Sequence, residues 1–253
     1  MTAPQGSAAT NLPPLEVHER DGLATIVLNR PSRGNALAAE LVDALTAQIA
    51  DLARRNDVHT LALRGAGANF CTGFDWSDLD AMSDGDLLLR FVRIELLLQA
   101  VATAPLRTVA CVHGHAWGAG ADLMVACDVR LACGDATFRF PGAAFGIILG
   151  TRRLAERIGT PQARAIVTDG REIDAPEALR LGLVTGLVAS SPEEALAALP
   201  PPRVDRDTLA GIARATRAGM EDADLSNLVR SAARSGLGER LRRYRTNLRR
   251  TPS

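Results

Sequence analysis

The chain has 253 residues, enough for one large domain to bury a hydrophobic core of its own. Apolar residues make up 47% and charged residues 23%, which is typical of a folded globular protein and excludes a disordered, collagenous or coiled-coil chain. The 29 cationic and 29 acidic side chains balance, and every cation is arginine, which excludes Schiff-base, pyridoxal-phosphate and Walker-type lysine chemistry.

The N-terminal segment is predicted to be a flexible tail over residues 1–14. It lacks the positive n-region and apolar h-region of a secretory signal, and no apolar run of the chain reaches about 18 residues. The four cysteines lie in apolar stretches without a C-x-x-C pair. Reduced thiols without a signal sequence or membrane span predict a cytoplasmic protein.

Strand and helix patterns alternate through residues 15–199. The chain opens with a predicted hairpin, 15–20 and 23–28, because Asp21-Gly22 separates two alternating β-branched segments. Apolar spacing then predicts helices at 37–54, 86–101, 121–126, 149–158, 161–167 and 175–181. Strands are predicted at 58–63, 108–112, 129–132 and 137–140, with a further apolar segment at 183–188.

A proline-rich hinge at Pro200–Pro202 divides this core from a C-terminal helical region, 200–253. Helical patterns cover 206–219 and 222–249, and the C-terminal tail carries six arginines around Tyr244: Arg240, Arg242, Arg243, Arg245, Arg249 and Arg250. A solvated basic helix face is the simplest interpretation. Binding of a phosphate group or of RNA are the alternatives.

Two glycine-bearing segments follow buried strands, at Phe70–Asp75 and at His113–Asp122. Small residues let a substrate approach the backbone, and a helix N-terminus adds partial positive charge. Two such turns are able to aim two backbone N–H groups at one oxygen. The pattern therefore predicts an oxyanion hole.

With these segments the chain resembles the crotonases, the enoyl-CoA hydratase/isomerase superfamily. The resemblance covers about residues 15–250 and rests on five motifs in order: 27–31 with 35–37, Phe70–Asp75, 114–128, 138–146, and 158–178 with 182–184. It implies an α/β fold with a ββα spiral core and a helical C-terminal trimerisation region. It also implies a homotrimer or hexamer acting on an acyl-CoA thioester, with no metal and no cofactor beyond the CoA of the substrate.

By motif position, the resemblance makes the N–H groups of Phe74 and Ala119 the oxyanion hole and Asp122 the acid/base. It places the CoA loop at Arg33 and predicts that Thr72, Gly73, Asp75, Trp76, Gly118 and Gly142 contact substrate. The helix over 86–101 is expected to wall the acyl pocket through Leu87, Leu88, Phe91 and Leu98. Asp75 is also open to a purely loop-stabilising role, and Trp117 is predicted to be a packing residue.

The sequence departs substantially from the family pattern: Ala119 replaces the usual glycine, and the position near Leu149-Gly150, which carries the acid in some family isomerases and dehalogenases, is non-acidic. The second hydratase carboxylate falls on Gly142, which is unable to transfer a proton, whereas isomerisation needs only one shuttling group. Asp122 lies in a helix first turn, where the dipole favours the carboxylate and hence a base. Hydration, isomerisation, decarboxylation and hydrolysis remain open, as do a purely helix-stabilising role for Asp122, a non-catalytic acyl-CoA binder and, last, an RNA-binding protein.

Overall fold

The computed structural model describes residues 13–216, 219 and 221–250. Of the predicted tail, only Pro13 and Pro14 fall within these residues. No helix in this part of the chain is both long and apolar enough to cross a membrane.

Nine strands form two sheets in the described residues. In chain order they are β1 (Leu15–Arg20), β2 (Leu23–Leu28), β3 (Thr60–Gly65), β4 (Arg107–Val112), β5 (His115–Trp117), β6 (Val129–Cys133), β7 (Thr137–Arg139), β8 (Glu172–Asp174) and β9 (Gly186–Val188). The larger sheet has the order β1-β2-β3-β4-β6-β9, and the smaller has the order β5-β7-β8. The β1–β2 hairpin is antiparallel, and every later pair of the large sheet is parallel.

The parallel strands are apolar because they are covered on both faces. In β3 and β4 almost every residue is buried, including Leu61, Leu63, Val109 and Val112. The strand ends of β3 and β4 lead into the two glycine-bearing segments. The sheet therefore brings those segments to one edge.

Ten helices surround the sheets in the described residues. They are α1 (Ala39–Arg54), α2 (Asp84–Thr103), α3 (Ala119–Val125), α4 (Thr151–Ile158), α5 (Thr160–Asp169), α6 (Ala175–Leu181), α7 (Pro192–Ala197), α8 (Arg206–Thr216), α9 (Glu221–Ala232) and α10 (Leu237–Arg250). Helix α2 begins two residues before its predicted start, because Ser83 and Asp86 form a reciprocal capping box. Short 3-10 turns lie at Pro31–Arg33, Leu79–Ala81 and Pro141–Phe145.

The C-terminal region differs from the prediction of one helix over 222–249. The chain breaks between α9 and α10, where Gly236 has a φ of +74° that glycine adopts without strain. The Asp84 carboxylate accepts hydrogen bonds from the N–H groups of Gly236, Leu237 and Gly238 at 3.1, 3.0 and 2.8 Å. This tertiary contact fixes the first turn of α10 against the start of α2.

Candidate active site

The two glycine-bearing segments lie against each other. The N–H of Cys71 donates to His115 O and the N–H of Trp117 donates to Cys71 O, both at 3.0 Å. Gly73 has a φ of +92°, and a Cβ there would stand 2.6 Å from Trp117 O and 3.3 Å from the Ala119 nitrogen. The peptide groups that precede Phe74 and Ala119 are therefore neighbours.

The N–H groups of Phe74 and Ala119 donate to no acceptor among the described residues. Ala119 is the first residue of α3, so its N–H has no partner within the helix. Gly118, with a φ of +54°, turns the chain from β5 into α3. Two unpaired donors at one place are what an oxyanion hole requires.

Two arginines anchor the segment that carries Phe74. Arg30 donates to Asp75 at 2.7 Å, and Asp75 also accepts from the N–H and hydroxyl of Ser77 at 2.9 and 2.6 Å. Burial opposes ionisation of Asp75, but these hydrogen bonds outweigh it and lower its pKa. Arg90 lies over the Phe74 ring at 4.4 Å and donates to Leu37 O at 2.9 Å. Asp75 thus holds the loop and lies outside the cavity wall.

Asp122 lies on α3 and is 6% exposed. Its carboxyl has no hydrogen-bond partner among the described residues, and it packs directly on Gly150, where a Cβ would overlap Oδ1. Burial raises the pKa of Asp122 well above its usual range, and Glu95 adds to this effect while Arg153 opposes it. The expectation from the sequence, that the helix dipole favours the ionised form of Asp122, is therefore wrong. Loss of hydration outweighs the dipole of a seven-residue helix.

A buried ion-pair network lies behind Asp122. Glu95 of α2 accepts from both terminal nitrogens of Arg153 at 3.2 and 2.5 Å, and Asp224 of α9 lies 3.3 Å from the same guanidinium. Arg152 also donates to Asp224, at 2.8 and 2.7 Å. The network ties α2, α4 and α9 together and sets the charge that Asp122 experiences.

Phe74, Ala119 and Asp122 all line one cavity of about 300 Å³. Eight residues predicted for the site line it: Thr72, Phe74, Trp76, Phe91, Gly118, Ala119, Asp122 and Gly142. Asp122 is the only carboxyl side chain of the wall within the described chain. The position of the second hydratase carboxylate, Gly142, thus belongs to the wall but carries no ionisable group.

Other predicted residues lie elsewhere. Gly73 immediately precedes Phe74 but does not line the cavity. Leu88 is half-buried against the hydrophobic core, and Leu87 and Leu98 are fully buried in it, so Phe91 alone represents α2 in the wall. Arg33 is exposed, although the next residue, Gly34, accepts from the Thr72 N–H at 3.0 Å.

The sequence analysis missed four aromatic residues of the wall: Trp117, Phe140, Phe145 and Tyr244. Trp117, predicted to be a packing residue, stacks on His115 and also lines the cavity. Tyr244 comes from α10, about a hundred residues along the chain from Phe145. The one signal in the sequence that could have indicated Tyr244 is its position as an isolated aromatic residue among the arginines of a strongly basic helix.

A basic groove of about 1040 Å³ adjoins the cavity and shares six wall residues with it. We call it the arginine groove; its cationic side chains are Arg139, Arg234, Arg240 and Arg243, and Glu172 is its acidic one. Arg240 donates to the carbonyls of the α9 C-terminus, at 2.9 Å in the case of Arg234 O. The groove combines a large opening with an excess of positive charge.

Comparison with known proteins agrees with this arrangement. A model of the enoyl-CoA hydratase/isomerase family matches residues 18–198. A crystal structure from Bordetella parapertussis, provisionally named an enoyl-CoA hydratase/isomerase, is 44% identical with a TM-score of 0.84. It covers 91% of this chain and 98% of its own.

Two mammalian proteins are also similar. Bovine enoyl-CoA hydratase domain-containing protein 2, a mitochondrial protein, is 34% identical over 176 residues, 68% of this chain and 60% of the relative. Mouse ethylmalonyl-CoA decarboxylase is 31% identical over 182 residues, 69% of this chain and 56% of the relative. The matched segment thus spans about three fifths of these curated relatives.

The fold and the site define a crotonase-type protein. The chain belongs to the enoyl-CoA hydratase/isomerase family, as the resemblance in the sequence predicted.

Proposed function

We propose that the protein moves a proton along the acyl chain of a CoA thioester, shifting a carbon–carbon double bond between the 3- and 2-positions. The observation that carries this proposal is a pair of unpaired N–H groups, on Phe74 and Ala119, in the same small cavity as a single buried carboxyl, Asp122. That set supports a thioester as the substrate and proton transfer as the reaction.

The thioester oxygen accepts hydrogen bonds from the Phe74 and Ala119 N–H groups. Ionised Asp122 removes the proton from the α-carbon of a 3-enoyl thioester, and the electron pair of the C–H bond moves to that oxygen as a dienolate. Protonated Asp122 then returns the proton to the γ-carbon, which leaves the 2-enoyl thioester and restores the carboxylate. Each oxyanion donor contributes about 10²–10³ in rate, and the positioned carboxyl about 10²–10⁴.

The raised pKa of Asp122 suits this cycle. A group that must take and return a proton works best when its pKa is close to the working pH, and an ordinary aspartate is too acidic for that. Hydration would require a second group to handle the water proton, and Gly142 does not provide one. The single carboxyl therefore favours isomerisation over hydration.

We assign the CoA phosphates to the arginine groove. It adjoins the cavity, and its guanidinium groups are suited to bidentate contacts with phosphate. Arg33, the position expected from the resemblance, offers one exposed cation on the other loop. The proposal needs no metal or redox cofactor, and it retains the homotrimer or hexamer and the cytoplasmic location expected from the sequence.

Mass spectrometry in D₂O tests the reaction. The protein and its Asp122→Asn variant are incubated separately with 3-butenoyl-CoA, crotonyl-CoA and ethylmalonyl-CoA. Conversion of 3-butenoyl-CoA to crotonyl-CoA with deuterium uptake, absent in the variant, is the expected result. Addition of water to crotonyl-CoA, or loss of CO₂ from ethylmalonyl-CoA without a double-bond shift, would replace isomerisation by hydration or decarboxylation.

The same experiment addresses the non-catalytic alternative. Thioesters that bind but exchange no proton would identify an acyl-CoA binder. RNA binding by α10 is less favoured, because the 29 cationic and 29 acidic side chains of the chain balance and Arg245 pairs with Asp80 at 2.7 Å. Its mark would be an RNA affinity that falls steeply with salt.

A further inference from the structure

The aromatic residues of this chain are concentrated at the cavity. The sequence contains six phenylalanines, two tryptophans and one tyrosine. Four of the phenylalanines, both tryptophans and the tyrosine line the cavity. Only Phe70 and Phe138 lie elsewhere, and both are fully buried. The four phenylalanines of the wall are also buried members of the hydrophobic core, whose other side chains are mostly aliphatic, so the aromatic part of the core is concentrated on the side that faces the cavity.

Five of the wall rings form a continuous series. Phe91 stacks on Phe74 with ring centroids 4.8 Å apart and an interplanar angle of 18°. Trp76 meets Phe74 edge-on at 5.5 Å and 72°, and meets Phe145 at 6.0 Å and 85°. Tyr244 lies 4.9 Å from Phe145. These separations are those at which a further ring gains edge-to-face or offset-stacked contacts.

The series begins at the proposed reaction centre. Phe74 supplies a ring to the wall and an N–H to the oxyanion hole, so a group attached a few atoms from the thioester carbonyl meets Phe74 and Trp76. The volume sets its size. At about 30 Å³ per water-sized unit, 300 Å³ accommodates roughly ten non-hydrogen atoms. A phenyl ring on a short carbon bridge matches this size.

We infer that the cavity selects CoA thioesters whose acyl group ends in an aromatic ring, over straight-chain or saturated-ring acyl groups of the same size. This inference rests on the proposed action on acyl-CoA. Aromatic pairs contribute about 0.5–1.5 kcal/mol beyond the area that they bury. At 1.4 kcal/mol for each factor of ten, the expected preference is about 2- to 12-fold in Kd.

The test compares three thioesters with equal numbers of acyl carbons: 3-phenylpropanoyl-CoA, 3-cyclohexylpropanoyl-CoA and nonanoyl-CoA. The two tryptophans of the chain both line the cavity, so intrinsic tryptophan fluorescence reports its occupancy. The phenyl compound is expected to bind tightest. The cyclohexyl ring is the more apolar, so apolar burial alone predicts that it binds at least as tightly as phenyl, and that result would overturn the inference.

Matched variants assign the preference to the wall. Phe145→Leu and Tyr244→Leu each remove one ring and are expected to bring the phenyl-to-cyclohexyl ratio of Kd values towards one. Phe138→Leu removes a ring buried outside the cavity and is expected to leave the ratio unchanged. Equal ratios in all three variants would contradict the inference. Failure of every thioester to bind would overturn the proposed function itself, whereas binding without a phenyl preference overturns only this inference.

Discussion

Replacing Gly73 by alanine perturbs the proposed oxyanion hole, whose donors are main-chain groups and have no side chain to delete. Two effects combine at this position. An L-residue at a φ of +92° is strained, at about 1–2 kcal/mol. The added Cβ also stands 2.6 Å from Trp117 O, where ordinary contact begins at 3.4 Å, so the two segments must separate by about 0.8 Å.

That separation acts directly on catalysis. Gly73 immediately precedes Phe74, and its Cβ position is 3.3 Å from the Ala119 nitrogen, so relief of the overlap changes the spacing of the two donors. A misplacement of about 1 Å costs on the order of 10²-fold in rate, and loss of one donor costs about 10²–10³. We expect turnover of 3-butenoyl-CoA to fall about 100-fold, with a much smaller effect on thioester binding.

Gly159→Ala is the matched control. Gly159 has a φ of +84°, but no atom lies within 4 Å of its Cβ position, so this variant isolates backbone strain from overlap. Urea unfolding of both variants measures the strain, and initial rates with 3-butenoyl-CoA measure catalysis. If Gly73→Ala retains the turnover of Gly159→Ala, the oxyanion hole does not lie between these two segments.

Three further predictions concern charge. Asp122→Asn should abolish turnover. It should also change how the free energy of unfolding depends on pH, because the folded-state pKa of Asp122 is raised. The stability that the neutral form of Asp122 provides is fully present below the pKa of the unfolded chain, and it is lost as the pH rises through the pKa of the folded chain. Urea unfolding across pH should therefore show the variant gaining on the parent as pH rises, and a pH-independent difference would argue against a buried neutral carboxyl. Arg153→Met leaves Glu95 unpaired and should lower the free energy of unfolding by about 3–5 kcal/mol, with much of it recovered in the Glu95→Gln/Arg153→Met double variant; equal losses in both would contradict the ion-pair argument. Calorimetric titration with free CoA should show weaker, less salt-dependent binding for Arg234→Ala/Arg243→Ala than for Arg33→Ala, and the reverse order would move the phosphates to the Arg33 loop.

Local signals were sufficient for much of the secondary structure. The β1–β2 hairpin has the predicted bounds, because Asp21-Gly22 and the alternation around it act between neighbouring residues. Helix α6 also has its predicted bounds, since Asp174 caps it and Gly182 ends it. Glycines likewise marked the two segments that meet at the site. Family membership followed from the order of these motifs.

The cavity wall depended on tertiary structure. Helical periodicity identified an apolar face on α2 but did not distinguish Leu87 and Leu98, which pack in the core, from Phe91, which borders the cavity. Phe145 and Tyr244 meet only because α10 turns back at Gly236 and is held by Asp84. Such contacts join residues far apart in the chain, so no local pattern contains them.

The charge state of Asp122 also depends on both local sequence and tertiary structure. The sequence placed this carboxyl in the first turn of a helix, and the helix dipole acts over that short range. Burial depends instead on Gly150, on the Glu95–Arg153 pair and on the enclosing wall, which only the folded chain brings together. The sequence by itself indicated which residues are candidates for the chemistry, whereas the tertiary structure decided their surroundings, because desolvation is a property of the assembled core.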